Sequence, residues 1–260
     1  MSIIDETRGL LGNEAPSHSK RLSHYLHDEV ATRGGDLLLL ICYVITGLLD
    51  SSAVFVWGSF VSMQTGNTVY FGLGLVGTDD DRWIKSGVSI CGFCLGSIFF
   101  AAFHRTFSPR KRWVLCASFF LQLCCVTIAA VVVTVYRPAR DTPLGWLVLV
   151  PIALVAFQSS GQAVTSRVLN FNGLTSVVLT SIYCDLFSNP ALLSTGVFGH
   201  VEEMRRVGAV ISLLLGVVLG GLWSHSSMGI MGALWTAVFL KALVLTAWLG
   251  WKKVDENHDE

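Results

Sequence analysis

The chain has 260 residues, 18 Lys/Arg against 18 Asp/Glu, a formal net charge of zero, and 52% hydrophobic residues with only 14% charged ones. Mean hydropathy is +0.60. A soluble domain of this size needs a charged surface that this composition does not supply, and zero net charge gives no electrostatic case for a nucleic-acid partner. An all-α, polytopic integral membrane protein is expected, with the lipid bilayer as its first partner.

In chain order, residues 1–35 form a polar tail with no apolar stretch of the signal-peptide kind, so the first span is expected to serve as the insertion signal. Within the tail, Leu22, Tyr25, Leu26 and Val30 fall at helical spacing. That spacing is compatible with a short amphipathic helix at the membrane surface, and equally with an irregular tail. A single transmembrane domain is expected over 36–251, followed by a C-terminal tail at 252–260. Its long apolar segments run at about 36–59, 84–103, 113–135, 144–166, 207–224 and 228–250. Each is close to the roughly 20 residues that a helix needs to cross a bilayer. Two shorter and more polar segments lie between them, at about 60–77 and 174–188. Trp83, Trp113, Trp146, Trp248 and Trp251 sit near segment ends, as in an aromatic belt.

The number of crossings depends on the two polar segments. If both span, the count is eight; if both dip in and return, it is six. The overall Lys/Arg bias barely separates the two. The densest short loop, with Arg105, Arg110, Lys111 and Arg112, favours six, because it then faces the cytoplasm together with both termini. The plasma membrane is preferred to an organelle.

The two halves, about 36–135 and 144–250, follow one order. In the first, "TGLLDSSA" (46–53) precedes "SMQTGNT" (62–68) and a span with Gly92 and Gly96. In the second, "SSGQAVTS" (159–166) precedes "LTSVVLTSIYCDLF" (174–187) and a span with Gly216 and Gly220. With three crossings each, the halves would be inverted relative to one another. Inverted 3+3 repeats of this kind are common in secondary transporters, where paired broken helices meet near the midplane and form the solute site. Non-helical backbone is tolerated there only where protein or water surrounds it. Asp50, Gln64, Thr65, Asn67, Thr68, Gln162, Thr180, Asp185 and Lys241 are therefore the candidate substrate-binding residues. Ionisable groups inside spans are expensive, and Asp50, Asp185 and Lys241 are the ones to account for. A carboxylate could serve as a proton or cation site, with Asp50 in reach of the Thr65–Thr68 hydroxyls and the Asn67 amide; a packing ion pair is the alternative. Gly92, Gly96, Gly216 and Gly220 are expected to pack helices closely, either between the halves or between protomers of a homo-oligomer.

The stretch "GLLDSSAVFVWGSFVSMQTGNTVYFGLGL" resembles the signature of the YoaK-like membrane proteins, the domain-of-unknown-function family 1275. The second-half "GQ" and "LTSIYCDLF" are similar to that family's later elements, although Gln162 is followed by Ala163 and Ser181-Ile182 replaces Gly-Thr. The resemblance implies a polytopic protein of about six spans and supplies no substrate.

All seven cysteines lie in apolar segments, so no disulfide is expected. His24-x-x-His27 lacks a third ligand, and no phosphate loop, catalytic triad or acidic metal pair is present. An enzyme, a metal and a cofactor are not expected. The expected function is movement of a small solute or ion as a transporter or channel. The alternative is a non-transporting membrane protein such as an assembly factor, sensor or scaffold.

Overall fold

The computed structural model describes residues 24–77, 80–138, 142–171, 173–190 and 200–254. Its named helices are α1 (Gly35–Trp57), α2 (Gln64–Leu75), α3 (Arg82–Thr106), α4 (Arg112–Tyr136), α5 (Trp146–Val168), α6 (Thr180–Ser188), α7 (Val201–Ser224) and α8 (Gly229–Leu249). Six of them, all but α2 and α6, are long and apolar enough to cross a membrane. α2 has 12 residues and α6 has 9. At 1.5 Å per residue these reach only about 18 and 14 Å, roughly half of a bilayer core.

The core belongs to four helices. Ile45, Leu48 and Leu49 of α1 meet Val126 and Ala130 of α4, Ile152 and Val155 of α5, and Ala233 and Leu234 of α8. In the apolar windows of α1 and α5, 67% of residues are buried, against 28% in α3 and 22% in α7. The latter two lie on the outside, and glycine brings each into contact with a helix of the other half. A Cβ added to Gly92 would stand 2.8 Å from Ala153 O, and one on Gly96 would stand 2.6 Å from Phe157 O. On α7, a Cβ at Gly216 would lie 2.1 Å from Val44 O, and one at Gly220 would lie 2.6 Å from Leu48 O. In both pairs the contacts advance together along the chain, so α3 runs parallel to α5 and α7 runs parallel to α1. The close approach is the small-residue packing of helices in lipid, where no hydrophobic effect draws helices together.

α2 folds back antiparallel on α3. Asn67 meets Ser89 at 3.0 Å, and positions 87 and 74 abut Phe71 and Trp83. Val69, Leu73 and Leu75 of α2 stay exposed at membrane depth, as lipid-facing residues would.

At one end of the bundle, both tails and the α3–α4 loop are tied together. Among the described residues of the tail, 24–27 are helical, and Glu29 and Val30 then pair as isolated bridges with Lys111 and Lys253. Of the expected helical positions, Tyr25 and Leu26 are helical, Val30 is in a bridge, and Leu22 lies outside the described residues. Arg112 is the tie. It is 1% exposed, its guanidinium sits 3.8 Å over the Tyr25 ring, and it donates to Tyr25 O at 2.9 Å and Trp251 O at 2.6 Å. The two tails and this loop therefore lie on the same side. Arg112 is thus also a packed structural residue.

A matched pair of substitutions tests the glycine contacts. Gly216→Ala drives a methyl into the α1 backbone and is expected to cost about 1–3 kcal/mol. Gly221→Ala, where nothing stands within 4 Å, is expected to be neutral or slightly stabilising, because alanine is the better helix former. Thermal unfolding in detergent reads both.

Candidate functional site

Asp50 lies on α1 about two turns before the helix ends at Trp57, and it is 2% exposed. The chain turns at Gly58, in the left-handed region at φ 77°, and drops back to the level of Asp50. There one carboxyl oxygen accepts the consecutive backbone N–H groups of Val61 (2.8 Å) and Ser62 (2.9 Å), and the other accepts the Ser62 hydroxyl. Successive amides converging on one oxygen form an anion nest. Asp50 does not reach out to the Thr65 and Thr68 hydroxyls, as its position in the sequence led one to expect. Nearer donors in the dipping loop occupy both of its oxygens.

Asn67 completes the loop. Its Oδ1 accepts Phe60 N–H at 2.9 Å, and its Nδ2 lies 2.8 Å from Phe60 O and 3.0 Å from both Gln64 Oε1 and Ser89 Oγ. A side-chain amide thus stands in for a β-type pair of backbone bonds. Thr68 donates to Gln64 O within its own helix at 2.8 Å.

In the second half, Gln162 lies buried on α5. Its Nε2 donates to Thr46 Oγ1 at 3.2 Å, and to Cys42 O and Ser176 Oγ at 3.4 Å, linking α1, α5 and the stretch before α6. Its Oε1 is buried with no hydrogen-bond partner among the described residues. Thr180 and Asp185 are exposed on α6, and Asp185 lies 3.7 Å from Arg206. Lys241 is fully buried between α8 and α4, donates to Gln122 Oε1 and stands 5.2 Å from the Phe119 ring centre. No carboxylate partners it among the described residues.

One cavity of about 380 Å³ is bounded by both polar segments. Ser62, Gln64 and Thr65 come from the first, and Val177 and Val178 from the second. Phe93, Ser97 and Ala101 of α3 and Val164, Arg167 and Val168 of α5 form walls. Of the candidate residues, Gln64 and Thr65 line it. Asp50 is held just behind Ser62, while Asp185 and Lys241 lie elsewhere. A second hollow of about 530 Å³, with Phe55, Arg137 and Met228 in its wall, opens at the other end of α1 and contains none of them. Among the described residues no group of three His, Cys, Asp or Glu is placed to hold a metal ion, and all seven cysteines are free.

Ser97 and Arg167 were not singled out from the sequence. The signals were present: 93, 97 and 101 recur at i+4 on α3, and a lone arginine follows the polar run 159–166. A basic residue at a span end reads first as a topology signal, which is why it attracts no further notice.

The geometry around Asp50 predicts a stability effect. Asp50→Ala leaves two buried amides and a hydroxyl without an acceptor, a loss of about 3 kcal/mol or more when each unmet donor costs about 1–3 kcal/mol. Asp50→Asn keeps one acceptor oxygen and is expected to cost less. Thermal unfolding of the two variants in detergent checks the order, and equal stability of Asp50→Ala and wild type would show that the nest is dispensable.

No curated protein and no solved structure matches the chain. A family described as protein of unknown function (DUF1275) matches residues 38–247. That span covers most of the chain, including both polar segments, the paired glycines and all the candidate residues, and the chain belongs to this family.

Proposed function

We propose that this multi-pass membrane protein moves a small solute or ion through the cavity between its two broken segments. The observation that carries the reading is the cavity itself. Two segments more than 100 residues apart in the sequence contribute to one hollow, as paired broken helices do at the solute sites of secondary transporters. The pairing of helices supports an inverted duplication. α1 packs on α7 as α5 packs on α3, and Asp50 and Gln162 each bind the segment that follows their own helix. Alternating access would then rock one such pair against the other about the cavity.

The test is occupancy. Thr65 is exposed to the cavity, so Thr65→Trp fills the space without displacing a buried group. Untargeted uptake profiles of cells expressing wild type should differ from those of empty cells in at least one solute. Thr65→Trp should abolish that difference at unchanged protein level. Identical profiles for wild type and empty cells would defeat the reading.

The orientation proposed is cytoplasmic for both termini and for the α3–α4 loop, in the plasma membrane, because that loop carries the densest positive charge. On a cysteine-free background, Ser108→Cys should react with an impermeant maleimide only after the cells are permeabilised. Labelling of intact cells would invert the assignment.

A second reading has an observation of its own. Asp50, Asn67 and Gln64 are satisfied by their own loop and by Ser89, as a non-transporting scaffold or sensor would have them. The same uptake comparison separates the two.

A further inference from the structure

The charge around the cavity is one-sided. At the end of the bundle where α1 and α7 begin and α5 ends, three carboxylates have basic partners. Asp36 accepts from Arg205 at 2.8 Å, Glu203 from Arg206 at 2.5 Å, and Asp185 lies 3.7 Å from Arg206. Arg167 has no ion pair or side-chain hydrogen bond among the described residues, and it lies in the cavity wall. Asp50, just behind Ser62 of the cavity wall, has both oxygens engaged by Val61 and Ser62. Among the described residues, no Asp or Glu lines the cavity.

The remaining wall is amphipathic. Thr65 and Ser97 have hydroxyls that no hydrogen bond engages among the described residues, while Phe93, Val164, Val168 and Val178 are apolar. Among the described residues of the wall, a cation entering this space meets a guanidinium and no counter-charge. A sugar finds too few polar partners for its hydroxyls. An acid with an apolar body finds a match at both ends: a planar guanidinium that binds a carboxylate or a related oxyanion in bidentate fashion, and side chains that cover hydrocarbon.

Resting on the reading of this cavity as the solute site, we propose that it takes a small organic anion, with Arg167 as its charge partner and Thr65 and Ser97 as hydrogen-bond donors to the same head group. The same chemistry is offered by a soluble acid or by the head group of an anionic lipid reaching in between helices.

The test is binding, which does not depend on transport. Purified protein in phosphatidylcholine nanodiscs is titrated with phenylacetate, 2-phenylethanol and phenethylamine, which share a ring and differ in charge. Phenylacetate should bind saturably and raise the thermal midpoint, and phenethylamine should not. Arg167→Gln should weaken phenylacetate about ten- to a hundredfold, the range expected when a charged hydrogen-bond partner is lost. Arg167→Lys should restore part of the affinity, and Thr65→Trp should block binding, which assigns it to the cavity. Replacing part of the lipid with phosphatidylglycerol separates the sources. Competition with phenylacetate identifies a lipid head group, and undiminished binding identifies a soluble acid; either result supports an anion site. The proposal is overturned if phenylacetate fails to bind, if Arg167→Gln leaves its affinity unchanged, or if the alcohol or the amine binds equally well in a manner that Thr65→Trp blocks. That last result would keep the cavity as a solute site and reject only the anion. Phenylacetate binding without any solute difference in the uptake profiles would do the reverse.

Discussion

Backbone that leaves helical geometry inside a bilayer must find its hydrogen bonds within the protein, because lipid offers none. The path of this chain between α1 and α2 follows from that requirement. Residues 58–63 descend without helical bonding, and they can do so because Asp50 accepts the amides of Val61 and Ser62 while Asn67 satisfies both the N–H and the C=O of Phe60. The polar residues that look out of place in an apolar sequence are the ones that make the break affordable. They position the start of α2, and with it Gln64 and Thr65, at the cavity.

The second constraint is how closely helices can approach. Gly92, Gly96, Gly216 and Gly220 let α3 and α7 reach the backbones of α5 and α1. Gly47 does the same from the other side, since a Cβ there would stand 2.2 Å from Leu213 O. Each of these contacts joins one half of the chain to the other. The halves are therefore not two bodies laid side by side; each outer helix is carried by the opposite half. An arrangement of this kind keeps α3 and α5 near enough to share the walls of a cavity whose roof and floor come from the two broken segments.

Charges are distributed by the same logic of satisfaction. Arg112 is enclosed by backbone carbonyls and an aromatic ring and ties three chain segments together. Lys241 is buried between α8 and α4, against a neutral amide and a ring. Arg205 and Arg206 answer the carboxylates at the ends of α1, α6 and α7. Arg167 has no ion pair among the described residues and lies in the cavity wall.

The sequence by itself determined the membrane class, the six long spans, the two short segments and the glycines of the outer helices. All of these follow from local composition: hydropathy over about 20 residues, and small residues four apart. It also marked Asp50, Gln64, Asn67 and Gln162 as residues with a purpose at membrane depth, since polar groups there are rarely idle. Which purpose was decided by tertiary structure. Asp50 and Asn67 turned inward to their own loop because backbone amides a few residues away were nearer than any shared cavity. Asp185 went to Arg206, and Lys241 to Gln122, because the partner of a charged side chain depends on which helix faces it. The glycine contacts proved to lie between the halves of one chain, which no spacing rule could tell from a contact between two protomers. Arg167 became notable only when it was seen to line the cavity while Asp36, Asp185 and Glu203 had other partners. Whether a charge is free is a property of its surroundings in space, and a sequence records only its neighbours along the chain.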